Sequence, residues 1–415
     1  MTITLNPNAR VEALSSLISQ KAPRAVRDVL QAGSATLPDK EQSQIREVID
    51  ACQELTALLT EPHEWIANVA WGYVDSVALS LVLEMKIHHH VPQAPGAISL
   101  SQLTESTGGS MDLIKRVMRQ CVKRFIFDEV EPHLYCHNDR SIRLLDIEFS
   151  SLIDYLTDDG FVTGAHLSRS LSQSNFQIPD NHRQAAFQLT FNTDKTLYEY
   201  YDSVDLKRGN RFANAMAGHY NTPLDDPIES IYPFGTLKQD AQIVDIGGGK
   251  GQQSIRLGRK YAHMSFVVQD LSSVVESAQT TVGIPETVTG RIQWQAHNIY
   301  SPQPLHGADV YLLSHVMMDH PPSACVTILQ HIVKAMKPGD SRILIHDFLD
   351  PEKEEYVSRF LNELDFHMIA SLNCFSKSLK GWLEVFRNAD RALQLKRVFK
   401  GSKNSAVFEL ILEDD

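Results

Sequence analysis

A short segment of the sequence holds residue types that could remove a proton from a substrate. Residues 314–320 read Ser-His-Val-Met-Met-Asp-His, which places His315, Asp319 and His320 close together along the chain. A histidine accepts protons near neutral pH, and a neighbouring carboxylate can hold and polarise its ring. The segment is therefore a candidate site for acid–base chemistry.

A glycine-rich segment indicates a cofactor site. "VDIGGGKGQQS" follows an apolar strand and opens a helix, so its backbone can approach a ligand closely. The next strand ends in Asp270, where a carboxylate can accept hydrogen bonds from both ribose hydroxyls. Asp245 precedes the glycines, and its charge would repel a pyrophosphate but suit a cationic amino-acid tail. Together these features favour S-adenosylmethionine (SAM) over NAD.

Both segments lie where strands alternate with helices. Apolar strand patterns at "AQIVDI", "MSFVVQDL", "RIQWQAHNI", "ADVYLLSHV" and "SRILIHDFL" are separated by amphipathic helices, and two final strands would form a hairpin. This order predicts an α/β domain over residues 241–415, with a parallel doubly wound sheet and an antiparallel edge.

The preceding 240 residues are predicted to be mainly helical. Residues 1–60 give two amphipathic helices, which would bury their apolar faces on their own subunit or in a dimer. Two helices around "TGG" and two strands around "VEPHL" then predict a winged helix. We expect a dimerisation and winged-helix domain over residues 1–145 and a helical cap over residues 146–240. The run His88 to His90 is expected in a solvated loop.

The bulk composition argues against several classes of protein. The chain has 415 residues, is 43% hydrophobic and carries a formal net charge of -12. An acidic surface repels phosphate backbones, so the basic second helix of the winged helix is not expected to bind nucleic acid. The five scattered cysteines show no metal-site spacing, so no metal is expected. Without an eighteen-residue apolar run or a signal-peptide pattern, we expect a cytoplasmic protein with reduced thiols.

Several motifs together resemble the plant and fungal caffeate-type O-methyltransferase family. They are "DIGGGKG", "QDL", "GADVYLLSHVMMDHPP" and "AMKPGDSRILIHDFL", and with the winged helix they cover nearly the whole chain. The resemblance implies a Rossmann-like class I methyltransferase domain, a small-molecule substrate and an entwined homodimer. The residues that it and the pattern assign to SAM are Asp245, Gly247, Gly249, Asp270, Leu271, Asn298, Ile299 and Ser314.

The sequence departs from this family at the catalytic residues. The family has a basic residue, then three residues, then His-Asp-Trp, and later a glutamate that orients the histidine. In this sequence Ser314 stands at the position of the basic residue. The three motif positions are occupied by Met318, Asp319 and His320. Ser376 replaces the glutamate. The base and its orienting acid are thus both absent, which suggests a methyltransferase fold that no longer transfers a methyl group. A shift of the alignment would instead make His315 or His320 the base.

A SAM-binding protein without a base could act through the charge of the cofactor. A fixed sulfonium beside a substrate carbonyl polarises it without being consumed. The altered motif resembles that of fungal O-methyltransferase-like pericyclases of the leporin type, which dehydrate a 2-pyridone alcohol to a quinone methide and steer Diels–Alder, hetero-Diels–Alder or Alder-ene closure. The resemblance implies a substrate contact by His137 in the wing. The candidate catalytic residues are His137, Met318, Asp319 and His320.

Three functions remain open on the sequence. The first is a SAM-binding, non-methylating pericyclase or dehydratase of natural-product biosynthesis. The second is an O-methyltransferase of a small aromatic or polyketide hydroxyl with a displaced base. The third is a non-catalytic regulator that binds SAM or DNA. The loss of both the base and its orienting acid favours the first over the second.

Overall fold

The computed structural model describes residues 7–32, 39–220, 222, 226–351, 357 and 359–413. Residues 1–6, part of the stretch in which a signal peptide was sought, lie outside these ranges. The chain forms two compact units, residues 1–77 and 78–415. The first unit contains the two predicted amphipathic helices, α1 (Pro7–Ala32) and α2 (Asp39–Leu59), followed by α3 (Pro62–Ala70). Leu14, Val48 and Ala51 are buried, and Arg10 pairs with Glu54 at 2.5 Å.

The second unit begins with the predicted winged helix, which the structure confirms. Helix α4 (Tyr73–Glu84) crosses the boundary between the units. Then come α5 (Ile87–His90), β1 (Ile98–Ser99), α6 (Leu100–Thr107), α7 (Met111–Lys123), β2 (Phe127–Glu131) and β3 (Leu134–His137). Ser99 and Gln102 form a capping box at the start of α6, and Gly108 ends that helix in a left-handed conformation. The wing strands pair antiparallel, and β1 adds to the edge of β3.

The prediction of a solvated loop at His88 to His90 was wrong for His88. These residues form the short helix α5, and His88 is only 4% exposed. Its Nδ1 lies 3.2 Å from the carbonyl oxygen of Val82, and its own carbonyl accepts a hydrogen bond from His137. The chain turns inward because Lys86 adopts a left-handed conformation, which aims α5 into the winged-helix core.

Helices form the segment between the winged helix and the sheet. They are α8 (Ile147–Tyr155), α9 (Phe161–Gln173), α10 (Ala186–Phe191), α11 (Leu197–Ser203), α12 (Leu206–Tyr220) and α13 (Ile228–Ile231). A π-helical turn, Leu156–Gly160, joins α8 to α9. Arg208 and Arg211 of α12 form ion pairs with three carboxylates of α8 and this turn, Asp154, Asp158 and Asp159. These ion pairs fix α12 against α8.

The predicted doubly wound sheet is confirmed. Its strands are β4 (Ala241–Ile246), β5 (Met264–Asp270), β6 (Ile292–Ala296), β7 (Val310–Ser314), β8 (Arg342–Asp350), β9 (Lys377–Ser378), β10 (Leu393–Lys400) and β11 (Ser405–Leu412). The helices among them are α14 (Gln252–Lys260), α15 (Ser272–Thr281), α16 (Pro322–Val333), α17 (Arg359–Leu372) and α18 (Leu379–Ala389). The order is β10-β11-β8-β7-β4-β5-β6, with β9 beside β8. Strands β4 to β8 run parallel, and β10 and β11 form the antiparallel hairpin.

The central strands are apolar on both faces. Within β7, Tyr311 and Leu313 pack in one hydrophobic cluster with α16 and α18, whereas Val310 and Leu312 pack in a second cluster with α14. This burial on both sides explains why the strands are continuous apolar runs. Strand β4 lies between β5 and β7, and the strands that follow β4 in the sequence are added first on the β5 side and then on the β7 side. The loops after β4, β5 and β7 therefore border one crevice.

Candidate active site

The glycine loop after β4 brings the two candidate segments together. Gly247 and Gly249 adopt positive φ angles of 70° and 57°, which side chains with a Cβ rarely adopt. A Cβ on Gly247 would also lie 2.7 Å from Cγ2 of Val316, so the loop packs directly against the chain that follows β7. The cofactor loop and the segment with His315 and Asp319 therefore lie side by side.

Two carboxylates flank this loop, one buried and one partly exposed. Asp245 is 1% exposed and accepts a hydrogen bond from the hydroxyl of Ser254 at 2.5 Å. Asp270 accepts backbone N–H groups from Gly249 and Leu271, each at 2.8 Å. Burial raises the pKa of Asp245 to about 6 and also raises the pKa of Asp270. Neither carboxylate has an ion-pair partner among the described residues, so a cationic ligand fits the site.

Asn298 and Ile299 lie beyond the end of β6, near Asp270. The N–H of His297 donates to the carbonyl of Asp270 at 2.8 Å, which joins the ends of the two strands. Asn298 is exposed, and its side-chain oxygen accepts the N–H of Tyr300 at 2.9 Å, while Ile299 packs against the sheet core. These positions suit an adenine-side contact, which stays a prediction.

Ser314 is buried at the end of β7. Its hydroxyl lies 3.0 Å from Nδ1 of His346, and its carbonyl accepts a hydrogen bond from Tyr220 of α12 at 3.2 Å. Because the side chain is turned toward β8, a contact between this residue and SAM would use the backbone.

The turn Met317–Asp319 is a short 3-10 helix held from several sides. The N–H of Met318 donates to Oδ2 of Asp347 at 3.1 Å. Nζ of Lys377 lies 3.3 Å from the carbonyl oxygens of both Met317 and His320, and Sγ of Cys325 lies 3.2 Å from the same two oxygens. The backbone of this turn is therefore fixed before any ligand binds.

Met318 itself is an apolar part of the site. It is 5% exposed and packs in one cluster with Tyr155 and Phe187 of the cap and Leu361 of α17. A thioether cannot act as a base at neutral pH, so position 318 supplies shape and a polarisable surface rather than proton transfer.

Asp319 points toward the cap. Its Oδ2 accepts a hydrogen bond from the hydroxyl of Tyr198 on α11. A capping box formed by Thr196 and Glu199 begins this helix and fixes the position of Tyr198. Burial raises the pKa of Asp319 to about 6, although the hydrogen bond from Tyr198 acts in the opposite direction. Asp319 is thus a carboxylate that can accept a substrate hydroxyl or its proton.

His320 is buried and engaged elsewhere. Its Nδ1 lies 2.9 Å from the hydroxyl of Tyr300, and its ring is 6.3 Å from the ring of His182. Burial lowers the pKa of His320 to about 3. At neutral pH the ring is a weak proton acceptor, which disfavours His320 as a displaced base.

His315 lies beside a carboxylate. Its Nδ1 is 3.8 Å from Oδ1 of Asp347, which is fully buried. Burial raises the pKa of Asp347 to about 7, against the opposing effects of His315 and Lys377. The structure therefore places a histidine–carboxylate pair three residues before Met318.

His137 lies in the wing core rather than on its surface. It is 3% exposed, its Nδ1 lies 2.8 Å from the hydroxyl of Ser141, and its Nε2 lies 2.9 Å from the carbonyl oxygen of His88. Burial lowers its pKa. Since both ring nitrogens have partners, a substrate contact would have to replace one of them.

The position of the family's orienting acid has a different role here. The N–H and hydroxyl of Ser376 donate to the two carboxylate oxygens of Asp365, at 2.7 and 2.8 Å. The next residue, Lys377, also lies over the ring of Trp382 at 5.0 Å. Ser376 thus belongs to the support of the site and orients no imidazole.

The sequence reasoning missed Tyr198 and Asp347. Tyr198 belongs to the aromatic stretch "LYEYYDS", whose composition alone does not distinguish a site residue from a core residue. Asp347 is a charged residue inside the apolar strand pattern "RILIHDFL". A carboxylate in a buried strand needs a hydrogen-bond or charge partner. This rule could have identified Asp347 as a residue of the site from the sequence.

Two family models match the chain. Residues 175–390 match the O-methyltransferase domain, and residues 67–146 match the O-methyltransferase dimerisation domain. The O-methyltransferase xanE of Aspergillus fumigatus is 38% identical over 376 residues, 88% of this chain and 86% of that protein. The N-methyltransferase nanE of Aspergillus nanangensis is 36% identical over 386 residues, 93% of each chain. The sterigmatocystin 8-O-methyltransferase of Aspergillus parasiticus is 33% identical over 374 residues, 89% of this chain and 87% of that protein.

Solved structures share the fold. The structure of LepI in complex with SAM has a TM-score of 0.80 and 23% identity, and covers 98% of this chain and 100% of that chain. OxaC in complex with SAH (S-adenosylhomocysteine) and oxaline has a TM-score of 0.83 and 20% identity, with coverage of 98% and 100%. At these identities the likeness shows the fold alone.

Proposed function

We propose that this chain, which belongs to the SAM-dependent O-methyltransferase family, transfers a methyl group from SAM to a hydroxyl of a small aromatic or polyketide compound. One observation carries the proposal. Between Val310 and His320, the side chains that are not buried are those of His315 and Asp319. Both are ionisable, and Val316 between them packs against the glycine loop. The segment therefore offers proton acceptors near the loop although position 318 is a methionine.

The residues around the loop fit SAM. When bound, SAM supplies a methyl group on a positively charged sulfur, which an oxygen lone pair can attack. Asp270 would hold the ribose hydroxyls, and Asp245 would face the cationic amino-acid end, directly or through water. Asp319 and Tyr198 would bind the substrate hydroxyl from the cap side. The relatives xanE and the sterigmatocystin enzyme are O-methyltransferases, which supports methyl transfer to a hydroxyl. Because nanE is an N-methyltransferase, a nitrogen atom is a second possible acceptor of the methyl group.

A mass-spectrometric assay tests the proposal. The purified protein is incubated with SAM and a panel of phenols, polyketide enols and a 2-pyridone alcohol, and both the cofactor and the substrates are followed. We expect S-adenosylhomocysteine and a product that is one methyl group heavier. Intact SAM with every compound, together with unmethylated products, would show that the proposal is wrong.

A pericyclase or dehydratase is the second candidate. Met318 and Ser376 replace both the base and its orienting acid, and this paired loss favours a reaction that needs no proton acceptor at position 318. In that case SAM would be bound but not consumed, and its sulfonium charge would polarise a substrate carbonyl. A 2-pyridone alcohol would lose water or isomerise while SAM stayed intact. Equal rates with SAM and S-adenosylhomocysteine would exclude the electrostatic role of the sulfonium.

We also propose a homodimer in the cytosol. By length and composition alone, the helical segment Pro62–Glu84 could cross a membrane, which the sequence patterns did not indicate. Little of it is buried within the chain: Ile66, Val69 and Trp71 are all more than 60% exposed. Residues 67–146 match the dimerisation domain, so we assign this apolar surface to a second subunit. The division into residues 1–145, 146–240 and 241–415 is part of the same proposal. Sedimentation of the purified protein tests the dimer.

A further inference from the structure

We propose that His315, positioned by Asp347, accepts the proton of the substrate hydroxyl in place of the histidine that the family has at position 318. This assignment rests on the proposed methyl transfer and names the base of that reaction. Positions 315 and 318 belong to one short segment, so a proton acceptor at either position is close to the same crevice.

The backbone at His315 is unusual. The residue adopts a left-handed conformation with a φ of 55°, which is uncommon for residues other than glycine and is often found at functional sites. Its N–H donates to the carbonyl of His346 at 2.8 Å, which anchors this conformation to β8. The strained backbone turns the His315 side chain out of the strand direction and toward Asp347.

Asp347 joins the two positions. One of its oxygens, Oδ2, accepts the N–H of Met318, and the other, Oδ1, lies 3.8 Å from Nδ1 of His315. Oδ1 is buried without a hydrogen-bond partner among the described residues. The distance is too long for a hydrogen bond, but catalytic contacts often shorten when the substrate binds. The carboxylate is placed to stabilise a positive charge on the imidazole.

The groups that face His315 come from several elements. Helix α12 contributes His219 and Tyr220, with ring centroids 6.3 and 6.0 Å from that of His315. Strand β8 contributes Phe348 at 5.3 Å, His346 at 4.5 Å and Asp347. Asp319 and Lys377 act on the same carboxylate at longer range. Aromatic rings surround the imidazole, while its side chain remains 12% exposed.

The other ionisable groups of the segment are less suited to this role. His320 is bound to Tyr300 and is buried, with its pKa lowered to about 3. Asp319 already accepts a hydrogen bond from Tyr198, so it is placed to orient a substrate hydroxyl. His315 combines partial exposure with a carboxylate partner.

The proton and electron balance of the step is simple. The hydroxyl oxygen forms a bond to the transferred methyl carbon, and the electron pair of the carbon–sulfur bond returns to sulfur. The hydroxyl proton passes to Nε2 of His315, whose Nδ1–H faces Asp347. The products are the methyl ether, neutral S-adenosylhomocysteine and an imidazolium paired with the Asp347 carboxylate.

The test compares matched variants of the full chain. His315→Asn and His315→Gly both tolerate a positive φ, so the turn should survive. Asp347→Asn removes the charge of the positioning residue, His320→Asn removes the competing histidine, and His331→Asn, on α16, is the control. Methyl transfer to the compounds of the panel is measured against pH. The pKa of the His315 imidazole is measured separately by NMR, without SAM, in the wild type and in Asp347→Asn.

We expect both His315 variants to lose about 100-fold or more in kcat, with His331→Asn within about threefold of the wild type, and His320→Asn should retain far more activity than either His315 variant. Asp347→Asn should lower kcat by about 10-fold and move the acid limb of the pH profile and the NMR pKa of His315 to lower pH, because a neutral amide no longer favours the imidazolium.

Other results would overturn the assignment. Undiminished product from His315→Asn, or a loss confined to His320→Asn, excludes His315 as the base while methyl transfer stands. An unchanged His315 pKa in Asp347→Asn excludes the pairing with Asp347. The absence of methylated product from the wild type overturns the proposed function, and the assignment with it.

Discussion

The glycine loop after β4 and the turn Met317–Asp319 are held by different kinds of contact. Around the loop, Asp245 is bonded to a residue nine positions away, and Asp270 to residues one and 21 positions away. Around the turn Met317–Asp319, Cys325 lies eight positions away, but the other side-chain partners lie 29, 60 and 121 positions away, at Asp347, Lys377 and Tyr198. The loop is therefore a local structure that a motif can identify, whereas the turn depends on the packed cap and sheet.

This difference also concerns the kind of change that each region tolerates. The loop depends on the positive φ angles of Gly247 and Gly249 and on the hydrogen bonds that Asp245 and Asp270 accept. The turn is supported by several side chains at once, so its backbone can be kept while the residue at position 318 changes.

The largest effect should be a loss of cofactor affinity when Asp270, beside the glycine loop, is replaced. Asp270→Ala removes the acceptor that anchors Gly249 and would hold the ribose, so we expect binding of S-adenosylhomocysteine to weaken by about 100-fold or more. Asp240→Asn, at an exposed position before β4, should bind normally. Isothermal titration calorimetry measures both, and unchanged affinity in Asp270→Ala would remove the ribose assignment.

The next largest effect should be a loss of stability when a side chain that supports the turn Met317–Asp319 is replaced. Lys377→Met leaves the carbonyls of Met317 and His320 without their charged donor, so we expect a loss of about 2 to 3 kcal/mol in the free energy of unfolding. Lys380→Met, whose side chain is 89% exposed, is the matched control and should change little. Urea unfolding checks the pair. Equal stability of the two variants would mean that the turn does not need Lys377.

Asp319→Asn should change the pH dependence of stability. The folded carboxyl has a pKa of about 6, above its unfolded value, so its contribution favours the fold below about pH 4 and is lost as the pH rises through about 6. At pH 7 we expect the variant to be more stable than the wild type by about 1 kcal/mol, a value reduced because the residue is partly exposed. Thermal unfolding from pH 4 to 7 measures the difference. A variant that is less stable at pH 7 would contradict the raised pKa.

The smallest effect should come from restoring the family's histidine. Met318→His places an imidazole at position 318, but Ser376 is bound to Asp365 and cannot orient it. We expect methyl transfer to change by less than about threefold. Ser376→Glu should not help, since the new carboxylate would lie beside Asp365 and be repelled by it. A large gain from Met318→His alone would show that the turn presents position 318 to the substrate better than the contacts indicate.

Much of the fold followed from local patterns. The winged helix, the two N-terminal helices, the order of strands and the final hairpin were predicted because period, glycine position and turn residues act within a few positions of one another. The prediction failed at His88, where burial against the wing depends on residues 49 positions away, as the bond to His137 shows.

The sequence by itself determined the cofactor motif and the replacement of the base by Met318, because both are properties of residue types at fixed spacing. The tertiary structure alone decided which ionisable groups meet: Asp319 with Tyr198, His320 with Tyr300, and His315 with Asp347. Burial then set their proton affinities, lowering the pKa of His320 and raising those of Asp319 and Asp347. Pairing and burial arise when distant segments pack together, and no local pattern specifies them.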